Sequence, residues 1–254
     1  MLHYKIEGKG NSIVFLHGYL ENLKMWSEIS KEFVQHYQVV QIDLPGHGKS
    51  PCYKEIHTME FMAEKVVEVL TELHIKEALF VGHSMGGYVT LAMAELFPQK
   101  VKAFLLLNST TLPDSEEKKK QRLKAVEVAQ KNLDTLIKMS VPSLFAEQNL
   151  KNLKGEIAFT KELARETPVR GVTAALKGMR LRPNRMNVLH DFQGKRGLVM
   201  GKFDKAVSAE MLKRNIPNHQ DLSVWELETG HMSLLESPLE TRLIVQEFFQ
   251  KVFG

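Results

Sequence analysis

Apolar positions in the first hundred residues fall into short runs separated by stretches of helical spacing. Residues 2–7 and 12–16 flank the turn Gly8-Lys9-Gly10-Asn11 and predict a β-hairpin. Residues 37–43 form a β-branched strand run. Residues 58–73 space their apolar side chains as a helix does, with Thr58 as its N-cap. A short apolar strand follows at 78–82, then a helix at 85–97 stopped by Pro98, then a strand at 101–107. Strands alternating with helices predict a parallel sheet covered on both faces. Active sites in such sheets lie at the carboxyl ends of the strands.

The alternation stops after that. Residues 112–187 carry helical patterning only, at 115–129, 133–139, 149–165 and 169–179, and contain no strand pattern. Strand 197–201, helix 208–214, strand 222–227 and helix 238–252 then resume the earlier order. The expected organisation is one α/β core, residues 1–111 and 188–254, with a helical cap, residues 112–187, inserted into it. The composition is compatible with this. In 254 residues, 43% are hydrophobic, enough for one large core and too many for a disordered chain. The single cysteine, Cys52, excludes an intrachain disulfide. The apolar runs are too short to span a bilayer, and residues 1–8 lack the basic start and apolar centre of a secretory signal. The expectation is a soluble cytoplasmic protein, monomer or homodimer, without membrane contact.

The chemistry centres on Gly82-His83-Ser84-Met85-Gly86, directly after one strand and directly before a helix. A serine hydroxyl is a poor nucleophile unless it is exposed beside a base. A sharp strand-to-helix turn lifts it above the sheet edge, and glycines two residues to either side remove side chains that would clash there. The helix N-terminus adds a backbone N–H and a positive dipole where an oxyanion would develop. Lys202-Phe203-Asp204 and Thr229-Gly230-His231 each follow an apolar run, which places Asp204 and His231 at neighbouring strand ends. His231 would take the serine proton, and Asp204 would hold its tautomer and stabilise its cation. Asp204 would otherwise be a turn residue or the cap of the next helix. Asp191 and Asp221 are rival acids, but they precede strands and so fall at the wrong sheet edge. In His17-Gly18-Tyr19-Leu20 the glycine lets backbone turn over the nucleophile. The N–H groups of Tyr19 and Met85 would then form an oxyanion hole, with His17 buttressing the loop.

Together with Asp43-Leu44-Pro45-Gly46-His47-Gly48-Lys49-Ser50, these motifs make the chain resemble the α/β-hydrolase superfamily over nearly its whole length. The resemblance implies that fold, a mostly parallel sheet with helices on both faces and an inserted helical cap. Its nucleophile, acid and base follow in the order Ser, Asp, His. The segment from Asp43 to Ser50 resembles the turn after the family's fourth strand, a structural signature in which His47 is not catalytic. Asn108 falls after the family's sixth strand, where some members carry the acid; an amide cannot serve, which favours Asp204. Members that displace halide or open epoxides use an aspartate nucleophile, and Ser84 argues against both activities. Residues 171–185 are similar to the last cap helix and its exit.

The 112–187 segment holds sixteen Lys and Arg against nine Asp and Glu. Its +7 leaves −3 for the remainder of a chain whose total is +4. Basicity therefore belongs to the cap, where Arg180, Arg182 or Arg185 would draw a small anionic substrate. Lysines scattered at helical intervals more commonly form a solvated face. No aromatic residues interleave with the basic ones, so nucleic acid is not an expected partner. No metal-ligand spacing and no phosphate-cradling loop appears, so neither metal nor cofactor is called for. Leu144, Phe145, Phe159 and Met179 are candidate walls of an acyl pocket. The expected activity is hydrolysis of small carboxylic esters, thioesters or lactones through an acyl-enzyme. The same three groups would also serve elimination or C–C cleavage, as in enzymes resembling the menaquinone-pathway synthase and the meta-cleavage-product hydrolases. A ligand receptor that retains the fold is the alternative outside catalysis.

Overall fold

The computed structural model describes residues 1–216 and 219–254. Strands β1 (Tyr4–Glu7) and β2 (Ser12–Leu16) precede helix α1 (Ser27–Ser30), β3 (Gln38–Ile42), α2 (Met59–Glu72), β4 (Ala78–His83), α3 (Met85–Leu96) and β5 (Val101–Leu107). Four helices come next: α4 (Glu116–Lys131), α5 (Leu133–Ser140), α6 (Lys154–Arg165) and α7 (Val169–Leu181). The chain then continues through α8 (Met186–Asp191), β6 (Arg196–Gly201), α9 (Ala209–Asn215), β7 (Leu222–Leu227), α10 (Ser233–Glu236) and α11 (Pro238–Phe253). The strands form a single sheet in the order β1-β3-β2-β4-β5-β6-β7, parallel except for β1.

The first two strands do not form the expected hairpin. β1 pairs antiparallel with β3, Tyr4 opposite Ile42, while β2 lies between β3 and β4 and is parallel to both. Burial explains the choice. Ile13, Val14, Phe15 and Leu16 are all buried, so β2 needs cover on both faces and belongs at the sheet centre. β1 exposes Lys5 and Ile6 and suits an edge. The intervening turn does use glycine at positive φ, 75° at Gly8 and 110° at Gly10. It seats the chain against the mouth of β3, where a Cβ on Gly8 would lie 2.2 Å from the Tyr37 carbonyl oxygen.

Thr58 caps α2 by accepting a hydrogen bond from the Phe61 N–H, as its sequence position implies. On one face of the sheet Phe15 meets Trp26 (4.9 Å between ring centroids) and Phe249 of α11 (6.5 Å). Helix α3 packs on α2 and against β2, β4 and β5. Between β5 and β6, α4 packs on α7 and α5 on α6. Helix α6 starts at Lys154 rather than at 149, because Glu147–Asn149 forms a separate 3₁₀ turn. Helices α1, α8 and α10 span four to six residues, too few for a helical period to show. Because the chain has seven strands, the Asp43 to Ser50 turn follows its third. There the Asp43 carboxylate accepts from the backbone N–H of Leu23 (2.8 Å) and Lys49 (2.9 Å) and binds His3 Nδ1 (2.8 Å), a structural task. Among the described residues no helix is long and apolar enough to cross a membrane.

Candidate active site

Ser84 sits at the turn from β4 to α3 with φ 49° and ψ −112°, a conformation that costs a non-glycine residue strain. The turn is held by close backbone approach. A Cβ on Gly82 would lie 2.6 Å from the Gly86 carbonyl, and one on Gly86 would lie 2.0 Å from the Leu16 carbonyl oxygen. Both glycines of the motif are thus required by contact.

The tertiary fold brings Ser84, His231 and Asp204 together. Ser84 Oγ lies 2.8 Å from His231 Nε2, and His231 Nδ1 lies 2.7 Å from Asp204 Oδ2. With Nδ1–H donated to the carboxylate, Nε2 is left to accept the serine proton. The other oxygen of Asp204 accepts the backbone N–H groups of Ala206 (2.8 Å) and Val207 (2.9 Å). Burial pushes the Asp204 carboxyl up, but the His231 imidazole and those hydrogen bonds outweigh it and hold it below its ordinary value. Asp204 is not a helix cap; Ser208 caps α9 through the Met211 N–H. Asn108 donates to Asp204 Oδ2 (3.3 Å) and to the Gly230 carbonyl (3.0 Å), tying the two loops together. Asp221 lies at the opposite sheet edge, beside Lys195.

The N–H of Met85 is the first of α3, a position that has no acceptor within the helix. Tyr19 follows β2, with Leu20 beyond it at φ 63°. Neither N–H finds a backbone acceptor among the described residues. His17 is wholly buried, donates from Nδ1 to the Gly18 carbonyl (2.7 Å) and accepts the Leu44 N–H at Nε2 (2.9 Å). That pattern requires a neutral ring, and burial accordingly lowers its pKa. His17 is therefore a buttress of the loop.

A second buried layer was not visible in the sequence. Glu21 accepts the Gly18 N–H (2.7 Å) and lies 3.0 Å from His83 Nδ1, while His83 Nε2 donates to the His231 carbonyl (2.9 Å). Burial opposes both charges. The partners outweigh it, holding the Glu21 carboxyl below its ordinary value and the His83 imidazole above its own. Glu236 links the segment after α5 to the His231 loop, accepting from the N–H groups of Ala146 (2.9 Å) and Gly230 (2.8 Å).

A cavity of about 150 Å³ opens over Ser84 and His231. Of the four candidate pocket walls, Leu144 and Met179 line it. Phe145 and Phe159 do not. Phe145 is 2% exposed and belongs to the core behind the cavity. Phe159 is 38% exposed on the far side of α6, where it faces a separate cleft with Met25, Ile29 and Leu234. Helical spacing marks an apolar face without saying what that face meets. Tyr88, Lys118, Arg122, Ser140 and Ala206 also line the site cavity. Of the three arginines expected to draw a substrate, Arg185 is turned away to Glu60 (2.5 Å) and Glu95 (3.0 Å). Arg182 binds Asp114 (2.7 Å) and stacks over the Tyr88 ring at 4.1 Å.

The family profile for the α/β hydrolase fold matches residues 11–238. The chain belongs to the α/β-hydrolase family. Among solved structures, a thermophilic esterase from Thermogutta terrifontis, determined with malate bound, superposes with a TM-score of 0.92. It is 27% identical, covering 100% of this chain and 94% of that one. The enol-lactonase of Burkholderia xenovorans LB400 superposes at 0.89 with 21% identity, covering 98% and 96%, a likeness of fold. The chain spans well under half the length of the curated relatives it matches, between 22% and 40%. One is the (E)-2-((N-methylformamido)methylene)succinate hydrolase of Acinetobacter baylyi, 29% identical over 106 residues, which are 42% of this chain and 40% of the relative. This α/β-hydrolase keeps serine, not aspartate, at its elbow.

Proposed function

We propose that the protein hydrolyses small carboxylic esters, thioesters or lactones, with Ser84 as nucleophile, His231 as general base and acid, and Asp204 as the group that orients His231. The observation that carries this reading is the unbroken chain of contacts, 2.8 Å and then 2.7 Å, from a serine on a strained elbow to a buried carboxylate. Ser84 Oγ attacks the carbonyl carbon as its proton passes to His231 Nε2. The oxyanion so formed is held by the N–H groups of Tyr19 and Met85, each worth about 3 to 4 kcal/mol of barrier. The tetrahedral adduct collapses to an acyl-serine, and His231 protonates the departing alkoxide or thiolate. Water then gives a proton to Nε2 and attacks the acyl carbon; the acid leaves and the proton returns to Ser84. No step calls for a metal or a cofactor. Treatment with a fluorophosphonate followed by peptide mapping tests the assignment. Ser84 should be the modified residue, and Ser84→Ala should abolish both labelling and ester turnover. Modification of another residue in folded protein, with Ser84 untouched, refutes it.

A further inference from the structure

The site cavity is more cationic than ester hydrolysis requires, and the excess is placed on one wall. Lys118 and Arg122, one turn apart on α4, line the cavity over Ser84. Both also line a second cavity of about 190 Å³ that shares Tyr88 and Ala206 with the first. The two cations therefore stand at the junction of the two spaces. Their counter-charges are incomplete. Asp114 serves two arginines: Arg122 binds it through Nε and Nη2, and Arg182 through Nη1. Lys118 has no carboxylate within 4.0 Å among the described residues, whereas the adjacent Lys119 pairs with Glu116. Three positive charges thus surround Asp114, and Asp204, the other carboxylate whose charge reaches Lys118, is engaged by His231. Glu21, which also lines the first cavity, is matched by His83. The free edge of Arg122 points inward: its Nη1 lies 3.4 Å from the sulfur of Met179, another cavity residue. Tyr19 lines the same space, and its buried hydroxyl has no hydrogen-bond partner.

We infer that Lys118, Arg122 and Tyr19 form an anion subsite, and that the substrate is a small ester carrying a carboxylate. The inference rests on the hydrolase reading and adds the substrate class. An ammonium, one guanidinium nitrogen and one phenolic O–H offer donors suited to the two oxygens of a carboxylate. A half-buried cation without a counter-ion loses hydration that nothing replaces, so the anion of the substrate would complete the site. Burial and the neighbouring Arg122 already hold the Lys118 ammonium below its ordinary value, consistent with a charge awaiting its partner.

Two matched pairs of esters test this, each replacing a terminal methyl by a carboxylate. Monoethyl succinate against ethyl butyrate probes the acyl half, and acetoxyacetate against ethyl acetate probes the alcohol half. Proton release gives kcat/KM for each. The wild-type enzyme should prefer the anion of at least one pair by roughly tenfold or more, the range of one charge-assisted hydrogen bond. Lys118→Met should cut that preference about tenfold, acting mainly on KM, whereas Lys119→Met should leave the preference as it is. Added salt should shrink the preference of the wild-type enzyme. Turnover of the neutral esters with no preference for either anion overturns the inference alone, as does a preference that survives Lys118→Met. No turnover of any ester, with Ser84 unlabelled by a fluorophosphonate, overturns the hydrolase reading and this inference together.

Discussion

Asp204→Asn tests the proposed roles sharply because the shape of the side chain is kept. The retained oxygen still accepts the N–H groups of Ala206 and Val207. The new NH2 then replaces Oδ2, which in the native protein faces two donors, His231 Nδ1 at 2.7 Å and Asn108 Nδ2 at 3.3 Å. To relieve the clash, the imidazole takes the tautomer with a bare Nδ1. Its proton moves to Nε2 and points at Ser84, so the base is lost. The same Asp→Asn change in a Ser-His-Asp protease costs roughly 10⁴-fold in kcat through the wrong tautomer, and a loss of that order is expected here. Asn108 keeps its bond to the Gly230 carbonyl, so the cost in folding is that of one charge-assisted hydrogen bond, about 1.5 to 3 kcal/mol. For a chain of this size that lowers Tm by roughly 3 to 12 °C. Asp204 does not line the cavity, so KM should move little. Steady-state hydrolysis of ethyl butyrate, paired with a calorimetric melt, reads both quantities. A folded variant whose kcat stays within tenfold of the wild type would sink the tautomer argument and the proposed role of Asp204 with it.

Gly86→Ala places a methyl 2.0 Å from the Leu16 carbonyl oxygen, a backbone atom that cannot step aside without moving β2. The expected loss is about 3 kcal/mol or more in urea unfolding, and a variant as stable as the wild type contradicts the packing described for the elbow. Glu21→Gln removes the anion that favours the charged form of His83. His83 can then lose its proton and still donate to the His231 carbonyl, so the expected cost is about 1 to 3 kcal/mol. The pH profile gives the clearer reading. The lowered pKa of Glu21 contributes stability above its ordinary value of 4.5, lost as pH falls through its folded value. The raised pKa of His83 contributes stability below its ordinary 6.5, lost as pH rises through its folded value. Melting temperatures across pH 5 to 9 should therefore decline on the alkaline side in the wild type and flatten in Glu21→Gln. An unchanged alkaline decline in the variant would show that this pair is not its source.

The sequence by itself determined much of this protein, wherever a local rule carries the meaning. The elbow was legible because Gly-X-Ser-X-Gly between a strand and a helix has a steric reason, and the structure supplies both contacts. Asp204 and His231 were legible because each follows an apolar run, and parallel strands deliver their carboxyl ends to one edge of the sheet. The run of helices between β5 and β6 was legible because strand periodicity disappears across it. What only the tertiary structure decided is which surfaces meet. Strand β1 leaves its sequence neighbour for β3, since sheet order depends on how much of each strand must be covered. Phe145 and Phe159 share the composition of a pocket wall, yet one lies in the core and the other faces a different cleft. Arg182 and Arg185 are held by Asp114, Glu60 and Glu95, while Lys118 and Arg122 line the cavity, because a charge on a helix acquires its neighbours from the side on which that helix is buried. Glu21 and His83 lie 62 positions apart, and nothing local signals that they share one enclosed volume. Periodicity fixes the face of an element. The partner of that face is set by long-range packing, where burial of every face at once selects the arrangement.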